Sequence, residues 1–123
     1  MFQSNWQEVA HRRYLYVHPI KEVRDDDWVK FFKENLPKGD DKEFRVLLDA
    51  RNSVEEITLE GFSQIVSEIQ GRGLERVYLA VLPANDSYIL LAALLDTVAR
   101  NQGLEVEVKI FDSLEGAQLW LVQ

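Results

Sequence analysis

From Phe44 onward the chain repeats one module three times, an apolar strand running into an amphipathic helix. Tandem units of this kind constrain the fold more than any other feature, because each helical crossover returns the next strand to the sheet parallel to its predecessor. The units are FRVLLDAR (Phe44 to Arg51) with a helix from Thr58 to Arg72, RVYLAVLP (Arg76 to Pro83) with a helix from Asp86 to Gln102, and VEVKIFD (Val106 to Asp112) with a short helix from Ser113 to Val122. Phe44 to Asp49 and Val77 to Leu82 are almost continuously apolar, the pattern of central strands covered on both faces. The expected architecture is α/β: a sheet of about four to five strands, parallel in its C-terminal part and flanked by helices.

The helices differ in how they should be covered. After Thr58, the residues Leu59, Phe62, Ile65, Val66 and Ile69 recur at three- and four-residue intervals and leave Glu60, Ser63, Gln64, Ser67 and Glu68 to solvent, so one face is buried. Gly71 and Gly73 are placed to supply the chain reversal that follows. In the next helix Ile89, Leu90, Leu91, Leu94, Leu95 and Val98 cover more than one stripe. Such a helix is expected to be buried by more than one neighbour, either deep within the fold or against another protomer. Gly103 is placed to end it.

Ahead of the repeat, RYLYV (Arg13 to Val17) reads as a strand, paired with an earlier one near Trp6 to Ala10. After Pro19, DDDWVKFFKENL sets Trp28, Phe31 and Phe32 at helical spacing, and LPKGDDKE ends that helix with proline, glycine and charge. The run Asp25 to Asp27 suits the first turn of that helix, where carboxylates meet the positive end of the dipole, better than it suits a cation site.

One domain over residues 1–123 is expected from a chain that is 46% hydrophobic and 28% charged. The absence of cysteine excludes disulfides, thiolate metal sites and cysteine nucleophiles, and makes the cytoplasm the expected location. The N-terminal MFQSNWQEVAHRRYL has no apolar core of signal-peptide length, and no stretch approaches the roughly 20 apolar residues that span a bilayer. A formal net charge of −7 repels phosphate backbones and anionic lipid heads, and Arg12 with Arg13 make only a small basic spot, so no nucleic-acid partner is expected. His11 and His18 lie seven residues apart with no accompanying acid pattern, a poor metal site. No serine sits in a Gly-x-Ser-x-Gly elbow and no Gly-rich loop follows a strand. Hence no catalytic residue, metal or cofactor is expected.

Strand FRVLLDAR, helix EITLEGFSQIV, strand RVYLAVL, the long apolar helix, strand VEVKIFD and the closing helix SLEGAQLWL together resemble the STAS-like proteins. The chain looks more closely like their bacterial SpoIIAA-like branch, sometimes grouped as STAS/SEC14. The most specific parts are LLDAR running into ITLEGF and the ending VKIFDSLEGAQLWL. The resemblance implies a non-catalytic signalling or protein-interaction module of the anti-anti-sigma type, acting on a protein partner of unknown identity. Self-association as a homodimer is the further expectation from the apolar helix. True anti-anti-sigma factors carry Asp-Ser-Ser-Gly at the start of the helix after the third strand, where a partner kinase phosphorylates a serine. Here the run is Thr58, Leu59, Glu60, Gly61: the glycine matches and the serines do not. Only Thr58 or the nearby Ser53 offers a hydroxyl for phosphorylation. Both have a simpler use, Thr58 as an N-cap and Ser53 with Glu56 as a local capping box.

Backbone N–H groups at a helix N-terminus beside the carboxyl end of a strand make an anion-friendly, accessible patch. Asp49 and Asn52 lie just upstream of it, and the loop Pro83 to Ser87 emerges at the same sheet edge if the strands are parallel. The candidate partner-binding residues are therefore Asp49, Asn52, Thr58, Gly61, Asn85, Asp86 and Ser87, the last three also forming a conventional helix cap. Kinship to lipid-transfer folds suggests an alternative, a carrier of a small apolar ligand or lipid in a pocket lined by Tyr88, Leu91, Leu95 and Trp120. Ordinary core packing is the competing use of those four residues. A phosphotransfer receiver is the remaining reading, with Asp49 closing a strand as a phosphoaspartate does and Asp25 to Asp27 and Lys109 around it. Against it, the acidic run opens a helix rather than ending a strand, and too few βα units precede Asp49.

Overall fold

Strand β1 (Phe2–Val9) and strand β2 (Arg12–Pro19) form an antiparallel hairpin in which Val9 faces Arg12 across a two-residue turn. Residues 2–20, 22–51, 54, 55 and 57–123 are described by this computed structural model. The turn residues Ala10 and His11 both take positive φ, 52° and 65°. A tight turn with left-handed backbone at both central positions matches the twist of the flanking strands but favours Asn and Gly, and this sequence has neither there. The first strand starts at Phe2, earlier than the Trp6 to Ala10 segment expected, and Ala10 lies in the turn.

The chain continues through β3 (Glu22–Val23), α1 (Asp25–Asn35), β4 (Glu43–Asp49), β5 (Val54–Glu55), α2 (Leu59–Gly71), β6 (Arg76–Leu82), α3 (Ser87–Asn101), β7 (Glu105–Ile110) and α4 (Leu114–Leu121). The main sheet has the order β1-β2-β4-β6-β7, with β2, β4, β6 and β7 parallel and β1 antiparallel to β2. A short parallel ribbon of β3 and β5 stands apart from it. The register of β4 and β6 is unbroken from Glu43 opposite Arg76 to Asp49 opposite Leu82, so the two strands finish level with one another.

Side chains alternate across a strand with a period of two, and here both faces of the centre are covered. On one face Leu15, Val17, Phe44, Val46 and Val77 pack against Trp28, Phe31 and Phe32 of α1 and Ile65, Val66 and Ile69 of α2. On the other, Tyr14, Leu47, Ala80 and Leu82 pack against Ala117 and Leu121 of α4. This explains why β4 and β6 read as unbroken apolar runs. Of the two glycines after α2, Gly73 alone takes a left-handed backbone, φ 89°, while Gly71 is the last residue of the helix. Gly103 ends α3 in the expected way, φ 85°.

Of the two alternatives that the sequence leaves for helix α3, burial deep within the fold is excluded. Only Tyr88 and Ala99 are buried, and Ile89, Leu90 and Leu94 are exposed, so the helix is neither deep within the fold nor covered on several sides. The reason is its position: α3 packs on α2 and on the edge strand β7, none of whose residues is fully buried. One stripe suffices for that contact, and the remaining apolar residues face outward. Among the described residues no helix is long and apolar enough to cross a membrane.

Candidate functional site

Parallel strands bring the carboxyl ends of β2, β4, β6 and β7 and the first turns of α2, α3 and α4 to one rim, where such sheets commonly place their binding groups. At its centre, β2 and β4 run in register through Val17 and Leu48, which places Tyr16 and His18 beside the end of β4. Asp49 closes β4 and is the one buried charged side chain among the described residues, 4% exposed. The Tyr16 hydroxyl donates to its Oδ2 at 2.8 Å. Arg51 grips the same carboxylate through Nε and Nη2, at 2.9 and 3.0 Å, and through its backbone N–H at 3.3 Å. His18 Nδ1 lies 2.9 Å from the Asp49 carbonyl oxygen.

Burial alone raises the pKa of Asp49, but the hydrogen bonds from Arg51 and Tyr16 and the charge of Arg51 outweigh it, and the net shift is downward. Tyr16 is pushed up to about 12, by burial first and then by its bond to, and the charge of, Asp49. The Arg51 guanidinium is raised by the same partner. Asp49 is therefore an ionised, fully engaged structural carboxylate that ties the end of β4 to β2. It is neither an open partner contact nor an accessible phosphoacceptor. Two other groups of the receiver arrangement are also committed elsewhere: Asp27 accepts from the Arg24 backbone N–H at 3.1 Å, and Lys109 stands over the Phe111 ring at 5.6 Å.

The start of α2 is equally occupied. Thr58 is its N-cap, as the sequence indicates, accepting from the Gly61 N–H at 3.1 Å. Asp25, the first residue of α1, reaches across and accepts from the Thr58 N–H at 2.9 Å and from the Thr58 hydroxyl at 2.5 Å. The anion-friendly patch expected here thus already holds an anion from the chain itself. Gly61 makes room for it: a Cβ at that position would lie 2.6 Å from Asp25 Cγ. A glycine in the first turn of a helix, where its propensity is poor, was the available signal of this close approach. Asn52, Ser53 and Glu56 lie outside the described residues.

At the start of α3 the three polar residues are exposed and held only locally. Asn85 Oδ1 accepts from the Ser87 N–H at 2.9 Å and from the Ser87 hydroxyl. Asp86 occupies the N-cap position with helical φ and ψ and no side-chain cap bond, so Asn85 does the capping that the sequence shares among the trio. Beside them on the rim lie the exposed apolar side chains of Leu59, Ile89 and Leu90.

Under α3 is a cavity of about 100 Å³, to which Tyr88, Leu91 and Leu95 contribute together with Ala92. Trp120, the fourth residue assigned to a pocket, is not there. It packs on the opposite face of the sheet against Tyr78 and Phe111, with ring centroids 6.1 and 5.7 Å away, because α4 crosses to the side that α1, α2 and α3 leave open. Trp28, set at helical spacing with Phe31 and Phe32 in the sequence, also lines the cavity, and its indole nitrogen is buried with no hydrogen-bond partner.

No family model matches the chain, and no curated protein matches it. Among solved structures it is similar to that of an uncharacterized protein from the DUF3478 family with a SpoIIAA-like fold, from Shewanella loihica PV-4. The TM-score is 0.64 and the identity 15%, over 98% of this chain and 93% of that one. The fold is SpoIIAA-like, as the strand and helix motifs implied.

Proposed function

We propose that the chain is a non-catalytic signalling module of the cytoplasm that acts by binding protein, through the rim where α2 and α3 begin and the outward stripe of α3. The observation that carries this reading is apolar exposure: Leu59 is 52%, Ile89 58% and Leu90 67% exposed, beside the polar Asn85, Asp86 and Ser87. Burying one such aliphatic side chain contributes ~1.5–3 kcal/mol, so a contact that covers all three has a ready source of affinity. The internal engagement of Asp49, Tyr16, Arg51 and Asp25 supports the same reading, since among the described residues it leaves these groups of the rim occupied.

A second copy of the chain is the first partner to test, because homomeric contacts are the commonest and α3 supplies a continuous apolar stripe. Sedimentation equilibrium on wild type and Leu90→Glu is expected to show a concentration-dependent dimer that the substitution dissociates, with the thermal midpoint unchanged at concentrations where both are monomeric. Immobilised wild type, but not Leu90→Glu, should also retain the heterologous partner. A wild type that is monomeric throughout and retains nothing beyond what the variant retains overturns the reading. A second reading, carriage of a small apolar ligand, is supported by the cavity beneath α3.

A further inference from the structure

The outer face of α3 carries a charge pattern as well as apolar surface. Tyr88 and Ala99 are buried and Leu91 and Leu95 line the cavity, which fixes the inner face of the helix. At 3.6 residues per turn the middle of the opposite face falls on Ala93, which is exposed. A step of seven residues returns to within about 20° of the same direction, so Asp86 and Arg100, seven residues to either side, lie on the same line. Both are exposed, and Asp86 takes helical φ and ψ, −64° and −20°, which keeps it there. Ile89, Leu90 and Leu94 flank the line.

Read along the helix, this line is negative, small, then positive, and it is symmetric about Ala93. It is complementary to itself in one orientation. A two-fold axis at Ala93 that sets two copies antiparallel places each Asp86 opposite Arg100 of the other copy and opposes the two helix dipoles, whereas a parallel pair brings like charges together. Both groups are available for this. The Asp86 carboxylate makes no cap bond in its own helix. Arg100 donates through Nη2 to Asp96 at 2.6 Å, an exposed contact of a weak kind that leaves other donors of the guanidinium fork. A methyl group at the crossing point allows the helix axes to close to about 8 Å. The stripe is about 21 Å long and one helix wide, below the standard size of a stable interface, so the pair should dissociate in the micromolar range.

We propose that two copies of the chain pair through α3 in antiparallel orientation, with the dyad at Ala93 and Asp86 of each copy meeting Arg100 of the other. This rests on the self-association reading and supplies its orientation and its specificity.

The chain has no cysteine, so a single introduced one reports its own neighbour. At the dyad the two copies of residue 93 fall within the Cα separation of up to about 7 Å that a disulfide requires. Two copies of residue 97, four residues off the dyad, stand about 12 Å apart along the axis. At 0.15 M salt, where repulsion between two chains of net charge −7 is screened beyond about 8 Å, mild oxidation should link Ala93→Cys into a covalent dimer and leave Thr97→Cys mostly unlinked. Asp86→Arg and Arg100→Asp should each weaken association about three- to tenfold by sedimentation equilibrium, and the two together should restore it to within about twofold of wild type. Losses inside one copy, of the helix-dipole match or of the Asp96 contact, accumulate in the double variant, so rescue reports a contact between copies. A wild type that dimerises while Thr97→Cys links as readily as Ala93→Cys, or while the double variant stays as weak as the single ones, overturns the antiparallel arrangement and leaves self-association standing. A wild type that is monomeric throughout overturns both, and the face then belongs to a different partner.

Discussion

The β4–α2 and β6–α3 units are built from the same module on adjacent parallel strands, yet one is locked and the other loose. Five of the 13 residues of α2 are buried, against two of the 15 of α3, although α3 is at least as rich in leucine and isoleucine. The exit of β4 is held by the Asp49, Arg51 and Tyr16 network and the start of α2 by Asp25 from a different helix. Among the described residues, the exit of β6 leads into a loop in which the Ser87 N–H and hydroxyl donate locally to Asn85 Oδ1. Position in the sheet accounts for the difference. Helix α2 lies over the sheet's centre and between two other helices, while α3 lies over an edge strand and has a helical neighbour on one side. Apolar content that finds no inward partner at an edge is left exposed.

The sharpest way to break this comparison is to truncate one apolar residue in each helix. Ile69→Ala, at a buried position of α2, should cost about 2–5 kcal/mol, and Leu90→Ala, on the outer face of α3, less than about 0.5 kcal/mol. Urea unfolding of the two variants, below the concentration at which wild type associates, reads both values. Equal losses would mean that α3 is as well packed as α2 and that its exposed stripe is not surplus.

The amino-acid pattern made the larger part of this architecture legible and the wiring of the rim much less so. Strands β4 and β6 declare themselves because both faces of the sheet's centre are dry, and α1 because Trp28, Phe31 and Phe32 share one helical stripe. Thr58 as an N-cap is a local property and is read locally. What escapes is whatever depends on neighbours distant in the chain. Tyr16 and Asp49 are 33 residues apart, as are Asp25 and Thr58, and nothing in either local segment names its partner. Tyr88 and Trp120 look alike as apolar aromatics on helices, but which face of a sheet a helix crosses is set by the connection and not by the helix. Which of the two alternatives for α3 applies is hidden for the same reason: periodicity reports what a helix is able to bury, not what is there to cover it.

The lock at the end of β4 should show itself in pH dependence. The fold favours neutral Tyr16, so the stability tied to its raised pKa is complete below its ordinary value of 10.0 and is lost as pH rises through about 12. Asp49 works in the opposite sense. Its pKa is depressed, so its contribution is present above its ordinary 3.8 and is lost as pH falls below that value. Tyr16→Phe should lower stability near neutrality by about 2 kcal/mol, as expected for a hydrogen bond to a charged acceptor. Its urea midpoint should also fall less steeply than wild type between about pH 10 and about pH 12. A variant that tracks wild type across that range would show that the Tyr16 to Asp49 bond does not hold the strand end.

The smallest effect separates the Asp25 bridge from ordinary helix capping. Gly61→Ala places a methyl group where the Asp25 carboxylate sits, and the three atoms nearest to it all belong to that carboxylate. In wild type the substitution should cost about 1–2 kcal/mol, because overpacking displaces a side chain that makes two charge-assisted bonds to Thr58. In an Asp25→Ala background the obstruction is gone, and the same change should stabilise by about 0.5–1 kcal/mol, the usual gain of alanine over glycine within a helix. A reversal of sign between the two backgrounds, read from a double-mutant cycle of urea unfolding, is specific to direct contact between residues 25 and 61. If Gly61→Ala costs the same in both backgrounds, the glycine serves some other neighbour, the start of α2 is open, and the two units are less different than their geometry indicates.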